Sequence, residues 1–84
     1  IYTAPLEIAE VPADAPPLFM ALATNDPMAV GASLPLFSKW RAAGHSAEMH
    51  VYSQGGHGFG MRTLGYASDT WIEQFGAWMR TEGF

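Results

Sequence analysis

The stretch that most constrains this chain is Pro17-Leu18-Phe19-Met20-Ala21-Leu22-Ala23, an apolar run with no polar alternation. Its length suits a strand, and without alternation both of its faces need cover. Strands of that kind belong to parallel sheets flanked by helices. The next residues, Thr24-Asn25-Asp26-Pro27, mark a turn, because Asn and Asp tolerate tight backbone and Pro27 pushes Asp26 out of the helical region. A helix is expected over roughly Ser33 to Ala43, with Ser33 as N-cap, Pro35 in the first turn and Gly44 just past the end. Leu36, Phe37, Trp40 and Ala43 form its apolar stripe. Ala47 to Tyr52 alternates and reads as a second strand. Met49 and Val51 share one face, and Glu48, His50 and Tyr52 share the other. Ser53 to Gly65 is a glycine-rich loop. A last helix is expected over Trp71 to Glu82, where Thr70 and Glu73 have capping-box spacing and Trp71, Ile72, Phe75, Trp78 and Met79 line one side.

The expected fold class is therefore α/β, in the order strand–helix–strand–helix. Residues 1–16, with three prolines, form an irregular lead-in, and residues 17–84 form the α/β part. A crossover of this kind is right-handed and makes the strands parallel. Two strands leave the first one, which reads as central, with a neighbour on one side only. Its other edge would template aggregation. Composition points the same way: 49% of the residues are apolar and only 14% charged, against a usual charged share of about 25%. That is too oily for a small free-standing domain, and far too apolar for intrinsic disorder. The remaining strands are expected from sequence preceding Ile1, from another chain or from a swapped copy.

Several function classes fall away on composition. The net charge is −4 with four Lys and Arg in all, so no basic stripe exists for nucleic acid. There is no cysteine, which removes disulfides and thiolate metal sites and leaves the redox compartment unread. The longest stretch free of strongly polar residues, Ala15 to Ala23, falls well short of the ~20 residues of a membrane span. No signal peptide is visible, and localisation stays unassigned because the chain reads as starting mid-protein.

In open parallel sheets, ligands bind beyond the carboxyl ends of the strands. The residues expected there are Thr24-Asn25-Asp26 after the first strand and Gln54-Gly55-Gly56-His57-Gly58-Phe59-Gly60 after the second. Neighbouring strands lie ~4.8 Å apart, which brings Asp26 within reach of a ring nitrogen of His57. An Asp that orients a His is two-thirds of a Ser–His–Asp triad: it fixes the tautomer and stabilises the imidazolium. Asp26 can equally serve as the cap of an Asn-Asp-Pro turn, and His57 as an idle loop residue among turn glycines. The glycines do not make a phosphate cradle, since G-x-G-x-x-G would need Gly where Met61 stands. His45, His50 and His57 spread along an extended segment and do not suit one metal ion. Trp40, Trp71 and Trp78 sit at helical spacing that favours core over a sugar-stacking platform.

Taken together, these features resemble a known family. Asp26-Pro27 after an apolar strand, a helix ending Trp40-Arg41-Ala42-Ala43-Gly44, the strand from Ala47 to Tyr52, then Gly55-Gly56-His57-Gly58-Phe59-Gly60 and a helix with Trp71, Phe75 and Trp78 look like the C-terminal part of an α/β-hydrolase esterase. The branch is that of dienelactone-hydrolase-like and acetylxylan-esterase-like proteins, and the resemblance covers roughly residues 16–84. It implies Asp26 as triad acid and His57 as triad base of a serine esterase, with no cofactor and no metal. The implied substrate is a small ester, such as an acetyl group on a carbohydrate. The chain order acid-then-His also matches Ser…Asp…His. The departure is the nucleophile: G-x-S-x-G and an HGGG-type oxyanion loop are both absent. Gly44-His45-Ser46-Ala47-Glu48 lacks the final Gly and lies between a helix and a strand, the reverse of an elbow. The nucleophilic Ser is therefore expected outside this chain, and the chain alone is expected to be inactive. Two other readings stand beside this one. The first is the end of a prolyl-oligopeptidase-like peptidase, which shares the late His loop. The second is a non-catalytic α/β remnant or interaction module.

Overall fold

The computed structural model describes residues 11–84. Of the expected irregular lead-in, residues 1–10 lie outside the described residues, and residues 11–16 contain a turn but no helix or strand. Four main elements follow: β1 (Leu18–Ala23), α1 (Pro27–Ala42), β2 (Ala47–Tyr52) and α2 (Trp71–Glu82), the last entered through a 3-10 turn at Ala67–Thr70. The strands pair in parallel, from Leu18 opposite Ala47 to Ala23 opposite Tyr52. Among the described residues the sheet has these two strands. The α/β class is thus present, though two strands are too few to define a larger sheet architecture.

The apolar run behaves as its lack of alternation demands. Met20 and Leu22 pack with Ala29 and Leu36 of α1, joined by Leu18, Val30, Phe37, Trp40 and Met49. Ala21 and Ala23 face the other way and pack with Tyr52 and Phe59, joined by Phe19 and Trp71. Phe19 also makes an edge contact with Phe75 and a tilted one with Trp78, which seats α2 on that second face. Period-2 alternation of one strand thereby builds two cores, one against each helix. β2 keeps the expected faces, with Met49 in the first core and Tyr52 in the second. Val51 is exposed at the edge. The tryptophans are largely core: Trp78 is buried, while Trp40 and Trp71 are partly buried and pack against the two clusters.

The first helix starts six residues earlier than the sequence suggests. Its N-cap is Asp26, whose side chain accepts a hydrogen bond from the Ala29 N–H, and Pro27 occupies the first helical position. Ser33, expected as the cap, is instead buried inside the helix. Pro35, expected in the first turn, is an interior proline. An interior proline costs a helix about 3 kcal/mol. Burial overrides it here: Ala29, Ser33 and Leu36 lie at i, i+4 and i+7, so the helix keeps one continuous face on the sheet across the proline. Ala43, expected in the stripe, is exposed and forms the C-terminal cap residue. Gly44 follows at φ 81°. Its N–H bonds to the Arg41 carbonyl and that of His45 to the Trp40 carbonyl, a Schellman closure. The α2 bounds agree with expectation, but the capping box does not form. Thr70 makes no cap bond because its hydroxyl donates to Ala67 O within the 3-10 turn.

Candidate functional site

Both candidate residues leave the sheet at its carboxyl edge. Along the strands, each β1 residue faces the β2 residue 29 positions later. The loops continue that register before departing from it. Thr24 N–H bonds to Tyr52 O at 2.7 Å, Thr24 Oγ1 reaches Ser53 O at 3.4 Å, and Asn25 Nδ2 donates to Gln54 Oε1 at 3.1 Å. The separation then rises to 31: Gly56 N–H donates to Asn25 Oδ1 at 2.8 Å, and His57 Nδ1 lies 2.7 Å from Asp26 Oδ2. Gly55 and Gly56 are the two extra residues. They stand at φ 146° and 68°, conformations that cost a side-chain-bearing residue strain. These glycines turn the second strand outward and lay His57 across Asp26.

The Asp26 carboxylate is shared between two jobs. Oδ1 accepts from the Ala29 N–H at 3.3 Å and caps α1, while Oδ2 faces the imidazole. The cap bond and the contact with the imidazole thus coexist on one side chain. The Asp26 side chain is 7% exposed and that of His57 48% exposed. The acid is thus fixed inside the fold while the ring reaches outward. The N-terminus of α1 also supplies the positive end of a helix dipole, where negative charge is favoured. A carboxylate only accepts, so the neutral ring carries its proton on Nδ1 and leaves Nε2 as a free acceptor. Nε2 makes no hydrogen bond among the described residues.

Beyond His57 the loop is tied down at several points. Phe59 is buried beside Tyr52, with an edge-to-face ring contact. Arg62 Nη2 donates to Gly58 O at 3.0 Å, and Trp71 Nε1 donates to Gly60 O at 2.7 Å. Asp69 accepts from the N–H groups of Leu64 and Gly65. Under the hinge, Ser68 is fully buried, and its Oγ has no hydrogen-bond partner. A Cβ added at Gly55 would come within 3.0 Å of that oxygen and 3.1 Å of the Phe59 ring. Tyr52, the last residue of β2, donates its hydroxyl to Gln74. Burial pushes the phenol above its ordinary value, with a Thr70 bond pulling the other way.

The other two histidines stand apart from this site. His45 Nε2 contacts Pro12 O at 2.9 Å, and His50 Nε2 pairs with Glu48 at 2.6 Å on the α2 face. The described residues hold no group of three or more His, Cys, Asp and Glu that would suit a metal ion. No helix among them is long and apolar enough to cross a membrane. Sequence reasoning reached Asp26 and His57 but missed Asn25 and Gln54. Extending the parallel register past the strand ends would have placed Asn25 opposite Gln54. Comparison with protein-family models, curated proteins and solved structures gives no match.

Proposed function

We infer that this chain supplies the acid–base half of a serine ester hydrolase, with a nucleophilic Ser outside these 84 residues. The observation that carries the reading is the 2.7 Å contact between His57 Nδ1 and a buried carboxylate oxygen of Asp26, with Nε2 left open at the sheet's carboxyl edge. In this reading Nε2 takes the hydroxyl proton as the serine attacks an ester carbonyl. The imidazolium so formed is stabilised by Asp26 and then protonates the leaving alcohol. In the second half-reaction His57 removes a proton from water, which hydrolyses the acyl-serine, and returns that proton to the serine. No metal or cofactor enters the scheme. The substrate class is a small carboxylic ester, with an acetylated carbohydrate as the branch resemblance implies.

The test is His57→Ala in the complete polypeptide, assayed on p-nitrophenyl acetate with the fold checked by circular dichroism. Near-complete loss of kcat in a folded variant is the expected result. Retention of a tenth of wild-type kcat would remove His57 from the role of base. The 84-residue chain alone is expected to hydrolyse the ester no faster than free imidazole, because loss of even one oxyanion donor costs ~10²–10³ in rate.

A further inference from the structure

We propose that Asn25 is a positioning residue for the Asp26–His57 pair, acting through the backbone of Gly56. The proposal rests on the acid–base reading above and extends it to a residue outside the pair. The His loop departs from the sheet at Gly55-Gly56, where the chain is least constrained by its own sterics. Across this hinge the ladder of strand hydrogen bonds has already ended, at Thr24 N–H to Tyr52 O. What holds the hinge on the acid-loop side is one carboxamide. Asn25 Oδ1 accepts from the Gly56 N–H at 2.8 Å, one residue before His57. Its Nδ2 donates to Gln54 Oε1 at 3.1 Å, one residue before the hinge. The side chain therefore spans the double glycine from both ends. Since Asn25 also directly precedes Asp26, the clamp ties the chain entering the acid to the chain entering the base. Asn suits the place because it offers an acceptor and a donor together. A hydrophobic residue of similar size offers neither.

The experiment reads the His57 ring by 15N–1H correlation in the complete polypeptide, at about pH 8.5. Asn25→Ala is expected to lower the ratio of the Nδ1–H to the Nε2–H tautomer about tenfold, the worth of one or two modest hydrogen bonds. It should also broaden the Nδ1 proton through exchange with water, with amide dispersion and circular dichroism unchanged. Asn25→Asp is expected to restore the wild-type spectrum, because a carboxylate still accepts from Gly56 N–H and a flipped Gln54 amide can donate to it. A wild-type tautomer ratio in Asn25→Ala overturns the proposal. So does a general loss of amide dispersion in Asn25→Ala, which would assign Asn25 to stability alone. Asp26→Asn, run alongside, separates the layers. If it leaves the ring signals unchanged, the Asp26–His57 pairing fails and takes the proposal with it. If it shifts them while Asn25→Ala does not, only the Asn25 proposal falls.

Discussion

The two loops that meet at the carboxyl edge of the sheet solve the same problem by opposite means. The acid loop is short: three residues separate the end of β1 from the first residue of α1. Asp26 is held by being the last residue before a helix, and its exposure is small because the helix and strand enclose it. The His loop runs from Ser53 to Tyr66 and is rich in glycine. Little in its local conformation would fix His57, so Asn25, Trp71 and Asp69 hold the loop from outside while its own Phe59 and Arg62 brace it from within. One residue is placed by secondary structure and the other by a set of tertiary bonds. Under the acid–base proposal that difference would suit the two roles, since an orienting acid must stay still while a general base must meet a substrate.

Substitutions can break this contrast. The largest expected effect is that of Asp26→Asn in the complete polypeptide. Asn keeps the Oδ1 bond that caps α1, yet presents an NH₂ where the Nδ1 proton needs an acceptor. Activity should fall by ~10⁴ in kcat, about 5 kcal/mol of barrier, while thermal stability hardly moves. A loss of less than tenfold with the fold intact would leave Asp26 as a cap only.

Next comes Gly55→Ala, which strikes the His loop alone. The φ of 146° and the crowding against Ser68 and Phe59 should together destabilise the chain by about 1–3 kcal/mol, read as a lower urea midpoint. An unchanged midpoint would mean that the hinge relaxes freely. The acid loop gives a matching, smaller number. Asp26→Ala deletes the cap and should cost about 1 kcal/mol in the same titration, whereas Asp26→Asn should cost a few tenths.

The gentlest expected effect is alkaline and local to the base of the His loop. The Tyr52 phenol is raised in the folded chain, so the unfolded chain loses that proton first. Its contribution to stability is complete below about pH 10, the ordinary phenol value, and is lost as pH rises through the folded value. Thermal melts at pH 8 and pH 11 should show a drop that Tyr52→Phe reduces. An equal drop in both would assign it to other groups.

Much of this arrangement was legible beforehand, and the failures have specific causes. Both strands and α2 announce themselves by pattern, because a two-face-buried run and an alternating one leave few other solutions. The order of Asp26 and His57 after successive parallel strands puts both at one sheet edge, and the turn at Gly55-Gly56 completes the contact. The first turns of α1 are masked in the sequence because Ser33 and Pro35 look like a start, while Asp26-Pro27, the true cap and first residue, look like a turn. Propensity favours the later start. Burial of Ala29 and Ser33 on the sheet decides for the earlier one, and that is a tertiary term no local window contains. Asn25 stayed hidden for a different reason. Its bond to Gln54 lies in the unchanged register, but its bond to the Gly56 N–H follows from a change of register from 29 to 31, which depends on the conformations of two glycines rather than on any residue's chemistry.

The divided carboxylate of Asp26 has a thermodynamic corollary. Because Oδ1 belongs to α1 and Oδ2 to the imidazole, the two partners communicate through a single rigid group, and linkage makes that communication reciprocal. Whatever factor an ordered first turn contributes to holding His57 against Oδ2, the seated ring returns to the ordering of the turn. Displacing the ring should therefore loosen the start of α1, and fraying the turn should loosen the ring. The opening turn of the helix thus becomes a reporter of the position of a side chain 31 residues away in sequence.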